Sequence, residues 1–252
     1  MGAFVIVLRE AFEACLIIGL VLAFLAKTGQ RREHVRAVWM GVAAAVGTSV
    51  AAGTILFAVF GELDDQAEAI FEGIAMLVAA GVLTWMVFWM RKQAKTIGGD
   101  LRRQVGDAIL TGGGLALATV AFVGVAREGL ETALFLFVSF RDEGALQTIV
   151  GGALGLTAAV GLGVAFYRGS LKLDLRRFFL VTGLLVIALG AYLLYGGLHE
   201  LGEAGGGEAL EAAGPVLALL FAGGFGWLYI RDAKAAPKSR PTPDAEQARA
   251  PG

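Results

Sequence analysis

The segments Arg9-Glu10-Ala11-Phe12-Glu13 and Arg127-Glu128-Gly129-Leu130-Glu131 repeat one phrase, Arg-Glu-x-x-Glu, each time inside a run otherwise apolar enough to span a bilayer. An ionised side chain at the centre of a membrane helix costs ~2.5–3.5 kcal/mol on insertion scales, so three in one helix demand pairing, water or a ligand. Carboxylates three residues apart share one helix face with ~4.5 Å of rise between them, and both can reach one ion. The arginine four residues before the second glutamate can pair with it along the helix, and its fork can fix a carboxylate. If Glu10, Glu13, Glu128 and Glu131 face one another with Arg9 and Arg127, four negative and two positive charges meet, a net of −2. Such a site favours a cation or retains protons, and its coupled carboxylates can exchange protons as an ion enters or leaves.

Oxygen-only ligands select hard cations, which leaves ferric iron, ferrous iron, manganese, calcium and magnesium open; ferric iron is the hardest and gains most from four carboxylates. His34 and His199, the only histidines, lie at loop boundaries, and the single Cys15 excludes an intramolecular disulfide or a cysteine-rich metal site. The plainer reading of each motif is a neutralised clip between helices. One glutamate per arginine would suffice for that, and the second carboxylate argues for a ligand. Glu68 and Glu72, four apart on one face, are accessory candidates. Asp64, Asp65, Glu62, His199, Glu200 and Glu203 are read either as an acidic vestibule that concentrates cations or as solvated loops with helix caps. Asp107 reads as an N-cap of the fourth span. No Ser/His, Cys/His or His-metal constellation suggests an enzyme.

The elements that must position these charges are membrane helices. The chain has 252 residues, 57% hydrophobic and 17% charged, with a mean hydropathy of +0.71. The net charge of −1 carries no footprint for nucleic acid. Uncharged runs over 37–61, 73–90, 108–126, 144–167, 178–198 and 212–230 each reach the ~18 residues that cross a ~30 Å hydrocarbon core. A seventh span, about 3–26, follows once the first motif is allowed inside it; its charges and the lack of a small-residue cleavage site argue against a signal peptide. The stretch 108–140 is expected as one long or broken helix, weakest at Gly112-Gly113-Gly114. Basic residues collect after spans one, three and five, and acidic ones after spans two and six, which places the N-terminus outside and the C-terminus inside. Trp85, Trp89, Trp227 and Tyr229, beside basic span ends, suit an interfacial aromatic belt.

The motifs are 118 residues apart, and other correspondences accompany them. Small residues recur every fourth position at Gly41, Ala45, Ser49 and Gly53, and again 110 residues later at Gly151, Gly155, Ala159 and Gly163; the same offset carries Gly73 onto Gly183. Such stripes let helices approach closely. A repeated unit of three spans must enter the membrane in opposite senses, an inverted-topology repeat of the kind found in secondary transporters. The expected fold is therefore an all-α polytopic membrane protein: seven transmembrane helices, as two inverted three-helix repeats plus a seventh. The expected organisation is a first repeat at 1–92, a cytoplasmic connection at 93–107, a second repeat at 108–200, an outer loop and seventh helix at 201–231, and a disordered tail at 232–252.

On these two motifs in seven spans, the chain resembles the high-affinity iron permease family, the oxidase-dependent ferric permeases of fungi and their bacterial iron-uptake relatives. The resemblance covers roughly residues 1–231 and extends to the Phe71-Glu72-Gly73, Trp85 to Trp89 and His199-Glu200-Leu201 segments. It implies import of iron, with Fe3+ the expected form, through the motif glutamates in a plasma or inner membrane. Iron is then the transported substrate, with no permanently bound cofactor. It also implies separate extracytoplasmic partners: a multicopper ferroxidase in fungi, and periplasmic or extracellular proteins, including a haem peroxidase-like one, in bacteria. No such domain is present in these 252 residues. A permease for manganese or lead, or a non-transporting membrane subunit with structural ion pairs, stays open as an alternative, as does a homo-oligomer.

Overall fold

The computed structural model describes residues 2–27, 32–60, 65–93, 103–108, 113–169 and 174–235. Among them are seven long helices: α1 (Gly2–Lys27), α2 (Arg32–Phe60), α3 (Asp65–Gln93), α4 (Gly113–Glu143), α5 (Ala145–Tyr167), α6 (Leu175–Leu201) and α7 (Glu208–Ala235). Residues 103–108 form a short additional helical segment. α2, α3, α5, α6 and α7 are long and apolar enough to cross a membrane. The charged motifs interrupt α1 and α4 near their centres. Large apolar side chains face outward, Leu146 and Leu219 being 73% and 74% exposed. A contiguous apolar exterior on helices of this length belongs in lipid, and the chain is a multi-pass membrane protein.

The stripe helices grip the motif helices. α2 packs along α4 and α5 along α1, while α3 pairs with α6 and α7 lies against α6. Each stripe makes its contact possible. A Cβ at Gly41 would collide with the Ala118 carbonyl of α4, and one at Gly155 would lie 2.7 Å from the Phe4 carbonyl oxygen and 3.0 Å from the Leu8 nitrogen of α1. The α2 stripe thus holds the second motif helix, and the α5 stripe holds the first.

Two apolar clusters flank the motifs. One joins Ile6 of α1 to Phe135, Phe137 and Val138 of α4, with Leu83 and Met86 of α3 and Ile187 of α6. The other joins Val21 and Leu25 of α1 to Leu117, Ala121 and Val125 of α4, with Val38 and Val42 of α2. The early part of α1 therefore meets the late part of α4, and the reverse. The two helices run antiparallel with their charged turns level, between dry layers.

Three expectations need correction. Asp107 lies inside the helical segment 103–108 and is no N-cap; α4 is described from Gly113, whose φ of +57° suits a residue without a Cβ. Tyr229 is no belt residue. It is 2% exposed, and its hydroxyl donates to the Phe179 carbonyl at 2.7 Å, tying α7 to α6. Trp89 is only partly exposed, and it is held within the protein by Trp85 at 5.8 Å and by a guanidinium described below; Trp85 and Trp227, at 63% and 59% exposed, do face outward. Gly112 and the tail from 236 onward lie outside the described residues.

Replacing Gly155 by leucine should cost ~1–3 kcal/mol or more, because the obstructing atoms are backbone. Gly161→Leu on the same helix, with open space around its Cβ position, should cost little. Thermal unfolding of the detergent-purified variants checks this; equal melting temperatures would contradict the stripe contact.

Candidate functional site

Both motifs keep the spacing that helical geometry dictates. Arg9 Nε lies 3.2 Å from Glu13 Oε1 and its Nη1 lies 3.8 Å from Glu10 Oε1. Arg127 repeats the arrangement, with Nε 3.2 Å from Glu131 Oε1 and Nη2 3.3 Å from Glu128 Oε1. Each guanidinium thus bridges two glutamates of its own helix. These are ion pairs by distance, yet Nε and Nη1 of Arg9 and Nε and Nη2 of Arg127 have no well-directed hydrogen bond. Both oxygens of Glu10, Oε2 of Glu128 and Oε2 of Glu131 are likewise buried without a hydrogen-bond partner.

The antiparallel crossing of α1 and α4 brings the carboxylates together. Glu10, Glu128 and Glu131 each offer an oxygen within 4.8 Å of the others. Glu13 stands outside this trio, beside Arg9. A buried carboxylate oxygen without a partner is costly, and three that converge are a ready ligand set for a hard cation. The two halves differ in access. Arg9, Glu10 and Glu13 are 5% exposed or less, whereas Arg127 and Glu131 are 31% and 22% exposed. Phe12, between the first motif's glutamates, is closed over by Phe178 and Phe179 of α6, with ring centroids at 4.6 and 6.3 Å.

The accessory candidates lie elsewhere. Glu72 lines a crevice with Phe71, Ala75, Met76, Phe137 and Val138, well along α4 from Glu131. The side chains of Asp65 and Glu68, and all of Asp64, lie outside the described residues. His199 stacks on Tyr195 at 6.0 Å, with Nδ1 3.2 Å from Glu211 and Nε2 3.6 Å from Glu203. A kink at Gly202–Gly206, with Gly205 at φ +119°, folds α7 back beside α6 and makes this second cluster; Glu200 takes no part in it.

Two residues at the site escape sequence reasoning. Trp89 and Met90, adjacent on α3, contact the two arginines: the Arg127 guanidinium carbon lies 4.2 Å from the Trp89 ring centroid, and Arg9 Nη2 donates to Met90 Sδ at 3.0 Å. Both contacts join residues far apart in the chain, and no spacing signal encodes them.

A sequence model of the Iron permease FTR1 family matches residues 1–214. The chain is 39% identical over 204 residues to a protein of Yersinia pestis called "Ferrous iron permease EfeU", covering 80% of this chain and 72% of that protein. Proteins of the same name from Yersinia pseudotuberculosis serotype I and Escherichia coli O6:H1 are 39% and 37% identical over 204 residues, covering 80% of this chain and 71% and 74% of theirs. No solved structure matches the chain.

The unequal burial of the arginines predicts unequal costs. Arg9→Met leaves Glu10 and Glu13 buried without their cation, a change typically worth ~3–5 kcal/mol. Arg127→Met, at the more exposed half, should lower the melting temperature less. A larger shift for Arg127→Met would contradict this asymmetry.

Proposed function

The chain belongs to the Iron permease FTR1 family, and from that premise we propose that it imports iron through one midplane site shared by the two Arg-Glu-x-x-Glu motifs. The observation that carries the proposal is the convergence of Glu10, Glu128 and Glu131, from two different helices, with an oxygen of each within 4.8 Å of the others; each also carries a buried oxygen without a hydrogen-bond partner. Glu13 is the fourth ligand, released from Arg9 as the ion arrives. The arginines limit the excess charge of the empty site, since four uncompensated carboxylates in an apolar interior would be prohibitive.

In the proposed membrane arrangement α1 to α7 are seven spans, with the N-terminus outside and the basic connections inside a cell membrane. Residues 1–92 and 108–200 are inverted repeats, joined by 93–107, and 201–231 with the tail 232–252 stand outside the symmetry. The exchange of partners supports this reading: α1 with α5 and α4 with α2 are one contact repeated under the pseudo-two-fold, and the α1–α4 and α3–α6 pairs map onto themselves. Substrate sites of inverted-repeat transporters lie at such a repeat interface. Cations gather at the acidic outer face and leave toward the basic side as one repeat moves against the other.

Ferrous iron is the first choice of substrate. The relatives bear its name, and a divalent ion cancels the net charge of −2 from four carboxylates and two guanidiniums. Ferric iron is the second reading, favoured by the hardness of an all-oxygen ligand set. Uptake of iron into proteoliposomes, compared under ascorbate and as ferric citrate, separates the two. Glu131→Ala and Glu13→Ala should each reduce initial iron flux at least ~100-fold, the scale of losing a ligand interaction worth ~3 kcal/mol. Undiminished flux in correctly inserted variants would sink the shared site.

A further inference from the structure

The free oxygens at the site need an explanation, because a guanidinium beside a carboxylate ordinarily closes into a two-pronged pair that occupies both oxygens. Here neither arginine does so. Each bridges the Oε1 atoms of two glutamates, and Oε2 of Glu128 and of Glu131 is left without a partner. Something must hold each guanidinium back from a single carboxylate. On both sides it is the same turn of α3: the Trp89 ring lies under Arg127 at 4.2 Å, and the Met90 thioether takes a donor of Arg9 at 3.0 Å. A ring face attracts a cation by ~0.5–2 kcal/mol, the upper end applying where water is excluded. Trp85, stacked on Trp89 at 5.8 Å, fixes the ring plane.

We propose that Trp89 and Met90 are positioning residues, which hold the two motif arginines as bridges and so keep glutamate oxygens available to the metal ion. The arginines are internal competitors for the same oxygens, and α3 restrains that competition. The proposal rests on the carboxylate site described above.

Equilibrium binding of Fe2+ under anoxic conditions to the purified full-length protein in nanodiscs tests it, together with KM and maximal rate for Fe2+ in proteoliposomes. Trp89→Leu keeps bulk but loses the ring face, and should weaken binding and raise KM about fivefold or more, while Trp89→Phe restores most of the affinity. Met90→Leu, nearly isosteric, should weaken binding in the same direction. In an Arg127→Ala background Trp89→Leu should have no further effect, since the competitor is gone. Trp227→Leu is the control; it removes a Trp–Arg pair of the same kind on α7, where Arg231 lies 4.8 Å from the ring, and should leave binding unchanged. Unchanged affinity in Trp89→Leu and Met90→Leu overturns the proposal, as does equal loss in Trp89→Leu and Trp89→Phe, or a loss that persists without Arg127. Glu131→Ala, measured in parallel, separates the two levels. Loss of binding there with none in the α3 variants removes only the positioning role, whereas normal binding in Glu131→Ala removes the carboxylate site and the proposal with it.

Discussion

Six ionisable side chains at the level where two membrane helices cross form the constraint on which the rest of this structure depends. None can stand alone in an apolar interior, so α1 and α4 must meet with their charged turns in register. The dry clusters on either side, around Ile6 with Phe135 and around Leu25 with Leu117, fix that register. A slip of one turn would carry Glu10 away from Glu128 and Glu131 and press charge into one of those clusters. The small-residue stripes serve the same end, since they bring α2 and α5 backbone to backbone against the motif helices, Gly41 at Ala118 and Gly155 at Phe4 and Leu8.

Neutralisation is nevertheless incomplete. Two guanidiniums cannot satisfy four carboxylates, and bridging leaves further oxygens unpartnered. A purely structural clip would close its pairs. Here Glu10, Glu128 and Glu131 converge from both helices, and each carries a buried oxygen without a hydrogen-bond partner. Burial is also lopsided: Arg9, Glu10 and Glu13 are buried, with Phe12 between the glutamates packed on Phe178 and Phe179, while Arg127 and Glu131 are partly exposed.

Much of this was legible in the sequence because membrane helices obey strong local rules. Span lengths follow from bilayer thickness, and the Arg-to-Glu pairings at i, i+4 follow from helix pitch. The stripes could be read as close-packing faces, although which helix each would meet could not. What escaped was carried by contacts across the fold. Trp89 and Tyr229 read as interfacial aromatics because Trp and Tyr near basic span ends usually are; one lies under Arg127 and the other donates to the Phe179 carbonyl. Asp107 has the composition of a helix cap, but it lies within the helical segment 103–108. The cluster of His199, Glu203 and Glu211 needs the kink at Gly202–Gly206 that folds α7 back on α6, and the sequence did not show which side chains it would bring together.

The central claim is that two motifs, 118 residues apart, make one site. Iron titration of the purified full-length protein in nanodiscs, with Glu10→Ala and Glu128→Ala examined singly and together, tests it most directly. A shared site predicts one iron ion bound between the motifs per chain, lost in either single variant, with no further loss in the double. Two ions, each lost only with the glutamate of its own motif, would contradict it.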